Sequence, residues 1–316
     1  MKDSKKIYLA VLLGSALLCM VAFFILRSNT EPEHIMQVTF FCRESAEEYN
    51  KTSLKQGLEQ AAKDFGVMLT VQFLNNTGSA RELSLLLEKE MENKTDAILV
   101  EPVDEKSVLE ALQKYKKQVP VVLVNGGFSD TFEFPRISCD HAKLGSDLAV
   151  EILKKTIKHQ KVLIVGETGR FQDVREASSG IEEGLKGACE VEYLTLYGGD
   201  EEKEKQLSRR MDHGDIYAIA ALGSRDLEML GKLKKKEECP DNVLIYGIGK
   251  NNQIIADMED GVIQAIGVCN YYSVGYLSVQ EAVQGHVQEK EVTTAIIDKD
   301  EIYTPENQRM LFTLVQ

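Results

Sequence analysis

Apolar residues along this chain alternate between two spacings. Apolar-rich runs at 36–41, 67–74, 97–100, 121–124, 162–165, 191–196, 218–222, 243–246 and 262–268 carry β-branched and aromatic residues, the pattern of buried strands. Between them apolar positions recur at helical spacing. Leu54, Leu58, Ala61, Ala62 and Phe65 precede Gly66; Leu83, Leu86, Leu87 and Met91 form a second stripe, and Val108, Leu109 and Leu112 a third. Leu144, Leu148, Ile152 and Leu153 form another, and Ile181 and Leu185 precede Gly187. Further helices are predicted to start near Glu201, Ser224, Asn252 and Tyr271. Strands and amphipathic helices alternating at roughly 30-residue intervals predict βαβ units around parallel sheets. A short strand at 136–138, followed by a helix start at Asp140, breaks this rhythm and reads as a crossover. The expected fold is α/β, two doubly wound parallel-sheet lobes, with a late strand at 293–297 and an irregular tail over 301–316.

One run stands apart. From Ile7 to Leu26 there is no charged residue, which reaches the ~20 residues a helix needs to cross a bilayer. Lys2, Lys5 and Lys6 precede it and orient the N-terminus to the cytoplasm. The run exceeds the ~7–15 apolar residues of a cleaved signal, and Phe23-Phe24-Ile25-Leu26-Arg27 has no small residues for a cut. Leu18 before Cys19 does not suit a lipoprotein signal. A retained transmembrane anchor in the cell membrane is expected, with the polar linker 28–34 after it and the bulk of the chain extracytoplasmic.

Composition narrows the function classes. The 316 residues are 43% hydrophobic and 28% charged, enough for two domains with their own cores. The net charge is −13; residues 1–27 carry +3 (four basic, one acidic), and subtracting that leaves −16 for the rest. So acidic a body argues against nucleic acid as a partner. The six cysteines include no CxxC pair, and no histidines stand near them at metal spacing, so no metal and no cofactor is expected. There is no nucleophile elbow and no HExxH, and Gly166-Glu167-Thr168-Gly169 lacks the lysine of a phosphate loop; the chain is not expected to be an enzyme.

Several local matches, in order, carry a family resemblance. Ser53-Leu54-Lys55-Gln56-Gly57 with Ala61-Ala62 and Phe65-Gly66 resembles the first helix of type I periplasmic solute-binding proteins of the ribose/galactose kind. Asp96-Ala97-Ile98-Leu99-Val100-Glu101-Pro102-Val103-Asp104 resembles their third strand and the turn after it, and Val119-Pro120-Val121-Val122 the strand that opens onto the sugar. Asp140 with Gly145 resembles their crossover, and Asp260-Gly261-Val262-Ile263-Gln264-Ala265 the approach to a second hinge strand. The same fold serves the effector cores of lac-repressor-type regulators. The resemblance implies two lobes closing on a solute by hinge motion, with crossings near 137–140, 267–270 and 297–300. It implies a lobe of 35–138 plus 270–297 and another of 139–269 plus 298–316, after a tip, anchor and linker over 1–34.

The sugar-contact set of that family is mostly replaced. Asn125-Gly126 stands where an Asp-Arg pair would be, and Asn50-Lys51, beside Tyr49, where two aromatics would be. Ala177, Gly223, Gly249 and Cys269 occupy four further contact positions. Neighbouring polar and aromatic groups at strand ends are then the candidate ligand contacts: Arg43, Glu44, Tyr49, Asn125, Asp140, Arg170, Phe171, Arg175, Arg225, Asp226, Lys250, Asn270 and Tyr271. Their many cations would suit an anionic or phosphorylated solute as well as a sugar or sugar derivative. The expectation is a membrane-anchored receptor that closes on a small polar solute. It would deliver the solute to an ABC permease or report it to a sensor histidine kinase. The alternative is a degenerate, non-sugar-binding adaptor working through protein contacts.

Overall fold

The computed structural model describes residues 34–43, 46, 48, 52–74, 80–129, 134–155, 160–167, 169–288, 295–297 and 301–306, with residues 15, 19 and 20 near the N-terminus. The chain divides into a unit Met1–Met36 and a unit Gln37–Gln316, and every element below belongs to the second. The expected anchor from Ile7 to Leu26 lies outside the described residues apart from Ser15, Cys19 and Met20. Among the described residues no helix is long and apolar enough to cross a membrane.

The unit begins with β1 (Gln37–Cys42), α1 (Ser53–Phe65), β2 (Met68–Phe73), α2 (Ala80–Glu92), β3 (Ala97–Val100), α3 (Lys106–Tyr115), β4 (Val121–Val124) and β5 (Arg136–Cys139). It continues through α4 (His141–Lys155), β6 (Lys161–Val165), α5 (Gln172–Leu185), β7 (Glu190–Leu194), α6 (Asp200–Met211) and β8 (Ile216–Ala221). Then come α7 (Ser224–Lys235), β9 (Leu244–Ile248), α8 (Asn252–Glu259), β10 (Ile263–Val268), α9 (Tyr271–Gln288), β11 (Ala295–Ile297) and β12 (Glu301–Tyr303). These strands form two six-stranded sheets, ordered β11-β5-β4-β3-β1-β2 and β12-β10-β9-β8-β6-β7. All described pairings are parallel except β10 with β12. Helices cover both faces of such sheets, which is why the central strands read as unbroken apolar runs. Phe41, Ile98, Val100 and Leu123 line the first core, and Leu163, Ile219, Ile245 and Ile266 the second.

The chain passes between the sheets after Cys139, returns after Val268, and passes again between Ile297 and Glu301. The expected irregular tail is corrected at its start. Residues Glu301–Tyr303 pair antiparallel with β10, and Tyr303 is 1% exposed in the second core. A three-residue strand with one buried ring is too short to show a periodic pattern. Each lobe also welds a helix pair through glycines. A Cβ at Gly145 would sit 2.1 Å from the Ala177 carbonyl oxygen, and one at Gly180 2.0 Å from that of Ala142. In the first lobe the same contact joins α1 to α9, where a Cβ at Gly57 would meet the Tyr272 oxygen at 2.0 Å.

Candidate functional site

The carboxyl ends of β1, β3 and β4 place Arg43, Glu101 and Asn125 side by side, each the first polar residue after an apolar strand. This edge is where doubly wound sheets present ligands. Facing it from the other lobe is the loop after β6 and the first turn of α5, residues 170–176. The Arg43 guanidinium spans the junction and donates to both carboxylate oxygens of Asp173, at 3.2 and 2.8 Å. Its backbone N–H donates to Glu101 Oε2 at 2.9 Å, and its guanidinium lies 4.4 Å from the centroid of the Phe171 ring. The other candidate on this loop, Arg170, stands 5.5 Å from the same ring. Phe171 comes from the second lobe yet packs against the first lobe's core cluster.

Burial alone would pull the Arg43 guanidinium down, but the charges of Asp173 and Glu101 hold it above its ordinary value. Burial pushes Asp173 up, and Arg43 more than reverses this, so the carboxyl stays below the usual range. At Glu101 burial wins and raises the carboxyl despite Arg43.

Around this centre the junction is laced by further pairs. Arg136 donates to both oxygens of Glu176 at 2.8 and 2.7 Å. Arg175 donates to Asp104 and, at 2.6 Å, to Ser129 Oγ. The Asp104 N–H donates to the Arg170 carbonyl at 2.8 Å. Gln172 Oε1 is buried with no hydrogen-bond partner.

Asn125 is the link between junction and hinge. Its φ is +63°, a left-handed conformation that Asn tolerates better than most side chains. Its Nδ2 donates to Asp173 at 3.4 Å, which leaves Oδ1 as acceptor for His141 Nε2 at 2.9 Å. His141 Nδ1 then faces Cys269 Sγ at 3.7 Å.

Of the candidate contacts, Arg43, Asn125, Arg170, Phe171 and Arg175 meet at the junction. Asp140, Asn270 and Tyr271 stand at the crossings. Asp140 accepts from the Lys143 N–H at 2.9 Å and caps α4, and Asn270 accepts from Ser273 at 3.1 Å and caps α9. Arg225 lies on the rim, about half exposed, and pairs with Asp200 at 3.0 Å. Asp226 reaches Lys203 at 4.0 Å, with burial raising its carboxyl. Lys250 is pulled down by burial. Glu44 and Tyr49 lie outside the described residues. Glu101, Asp104, Arg136, His141, Asp173 and Glu176 were absent from the expected set. Glu101 carried the same signal as Arg43 and Asn125, a polar residue closing an apolar strand. Asp173 and Glu176 carried none, since charges in a helix's first turn ordinarily face water. A hollow of about 360 Å³, lined by residues such as Lys55, Leu69 and Phe73, lies between α1 and β2, away from this junction.

The sequence profile of the periplasmic binding protein domain matches residues 39–289. No curated protein sequence matches the chain. Solved structures with a similar fold include a carbohydrate transporter solute-binding protein from Agrobacterium radiobacter in complex with D-arabinose. It superposes with a TM-score of 0.79 at 17% identity, covering 90% of this chain and 100% of that one. An ABC transporter solute-binding protein from Actinobacillus succinogenes with bound D-allose gives 0.76 at 18%, covering 87% and 99%. The XylFII–LytSN complex gives 0.74 at 16%, covering 87% and 99%. Identities this low establish a shared fold and leave the ligand open. The profile, however, runs from β1 through α9, across both sheets. On that match the chain belongs to the type I periplasmic binding protein family, whose members bind substrates and are not enzymes.

Proposed function

We propose that this chain is an extracytoplasmic receptor, tethered by the segment from Ile7 to Leu26, that closes on a small neutral polar solute at the Arg43–Asp173 junction. The observation that carries this reading is the matched set of donors and acceptors brought from both lobes to the carboxyl edge of the strands. A solute with several hydroxyls needs both kinds of partner, because each hydroxyl donates once and accepts twice. Each candidate arginine is matched by a carboxylate: Arg43 by Asp173, Arg175 by Asp104, Arg170 by Glu167 at 3.3 Å and Arg225 by Asp200 at 3.0 Å, and Arg136 beside them is matched by Glu176. That balance favours a neutral sugar, polyol or sugar derivative over a phosphorylated one. Relatives in fold that hold D-arabinose and D-allose support the same class. Delivery to an ABC permease or report to a sensor kinase both suit the fold. The XylFII–LytSN complex supports a protein partner.

A thermal-shift screen of the ectodomain with sugars, polyols, sugar phosphates, nucleosides and amino acids tests the reading. A rise in Tm with neutral polyhydroxy compounds is expected. A rise confined to phosphorylated solutes would overturn the neutral class. No rise with any compound would favour the second reading, an adaptor whose cleft serves protein contacts. The observation favouring that reading is that the junction pairs already satisfy one another.

A further inference from the structure

Two thiols meet where the chain first leaves and then re-enters the first lobe. Cys139 ends β5 and Cys269 follows β10, so each sits on a different crossing. The Cys269 thiol is hydrogen-bonded with Cys139 and with Tyr271. Its sulfur also lies 3.7 Å from His141 Nδ1. Both cysteines are buried, at 1% and 3% exposure, and neither is in a disulfide. The Asn125 contact on Nε2 fixes the His141 ring, so Nδ1 is aimed at sulfur.

We propose that Cys139 and Cys269 are a redox-active pair that closes into an intramolecular disulfide by exchange with a small external disulfide, stapling two of the three crossings. When hinge motion parts the lobes and uncovers the crossing, the Cys269 thiolate attacks one sulfur of the external disulfide, and the first thiolate leaves with the proton of the His141 imidazolium. Cys139 sulfur then attacks Cys269 sulfur, and the second thiolate leaves with the Cys139 proton. Two protein thiols are oxidised and one external disulfide is reduced to two thiols. Closure requires the two hydrogen-bonded sulfurs to draw together to the ~2.05 Å of an S–S bond. Burial pushes the Cys269 thiol up, but the Cys139 hydrogen bond and the His141 charge reverse that and pull it below its ordinary value. Burial raises the thiols of Cys189 and Cys239, which disfavours either as an attacking thiolate. Exposure to external disulfides in the cell rests on the extracytoplasmic placement proposed above, whereas formation of the bond does not.

The reduced full chain is incubated with oxidised glutathione, quenched in acid, alkylated and mapped by mass spectrometry. The expected result is a Cys139–Cys269 cross-linked peptide with loss of two hydrogens, appearing before modification of the other cysteines. Cys139→Ser should stop at a glutathione adduct on Cys269. His141→Gln should slow the first step at pH 7 by roughly tenfold, with the same end product in the presence of Cys139. Cys139 and Cys269 both remaining alkylatable after prolonged oxidation would overturn the proposal, as would a stable glutathione adduct on Cys269 in the unmutated chain. Neither outcome depends on whether any solute raises Tm.

Discussion

Replacing Asp173 with asparagine keeps the shape of the side chain and removes the charge that Arg43 reaches across the junction. The Arg43 and Asp173 side chains are only 16% and 9% exposed, so in the closed arrangement neither has water to fall back on. Removing one partner of a buried pair costs about 3–5 kcal/mol, because the other charge is left uncompensated. Glu101 stays beside Arg43 and keeps the cost toward the lower end. When the lobes part, water reaches the guanidinium, so the penalty falls on closure and leaves each lobe's own folding nearly untouched. A change of about 3 kcal/mol moves a two-state closure equilibrium by about 150-fold. Small-angle scattering should therefore show Asp173→Asn with a larger radius of gyration than the unmutated protein. The double variant Arg43→Met/Asp173→Leu has no buried charge to strand, and it should return most of the way to the closed curve. Superimposable scattering curves for the parent and Asp173→Asn would refute the claim that this pair holds the lobes together.

Acid should act on the same contact. Asp173 has its carboxyl held below the ordinary 3.8, so its stabilisation is complete above that value and lost as pH falls through the depressed one; scattering should show opening only in strong acid. The hinge pair gives a second pH signature. His141 is raised to about 9, a contribution present below its ordinary 6.5 and lost as pH rises through 9. Cys269 is lowered to about 5, a contribution present above its ordinary 9.0 and lost as pH falls through 5. Between 6.5 and 9 the folded and unfolded states bind equal protons, so this pair leaves stability flat there; from 6.5 down to 5 it should cost about 1.4 kcal/mol per pH unit. Thiolate absorbance near 240 nm should fade near pH 5 and be missing at pH 7 in Cys269→Ser. Gly145→Ala forces α4 from α5 and should cost about 1–3 kcal/mol in denaturant unfolding. Tyr303→Ala opens the second core beside β10 and should cost about 3–5 kcal/mol by the same measure.

The strands were legible because buried parallel strands need apolar side chains on both faces. The runs at 97–100 and 121–124 coincide with β3 and β4 to the residue. β12 was not, since its one informative residue, Tyr303, takes its meaning from β10. At the junction, Arg43, Asn125 and Phe171 could be singled out because a polar or aromatic residue closing a strand or opening a loop has few structural reasons to be there. Asp173 and Glu176 look like the solvated turn of an amphipathic helix, and only the crossover brings the first lobe against them. His141 and Cys269 lie 128 residues apart, a separation over which no spacing rule operates.

The pairing of α1 with α9 has a consequence for how the protein is made. The Tyr276 hydroxyl donates to Asp64 across 212 residues of sequence, and the Gly57 backbone is covered by Tyr272. During synthesis the first lobe therefore waits, with one helix face bare, until nearly all of the second has been translated. Contacts of such long separation form slowly, and the waiting surface is the kind that aggregates. A chain cut anywhere within the second lobe should fail to yield either lobe folded, and a holding chaperone should bind the face of α1 until α9 arrives.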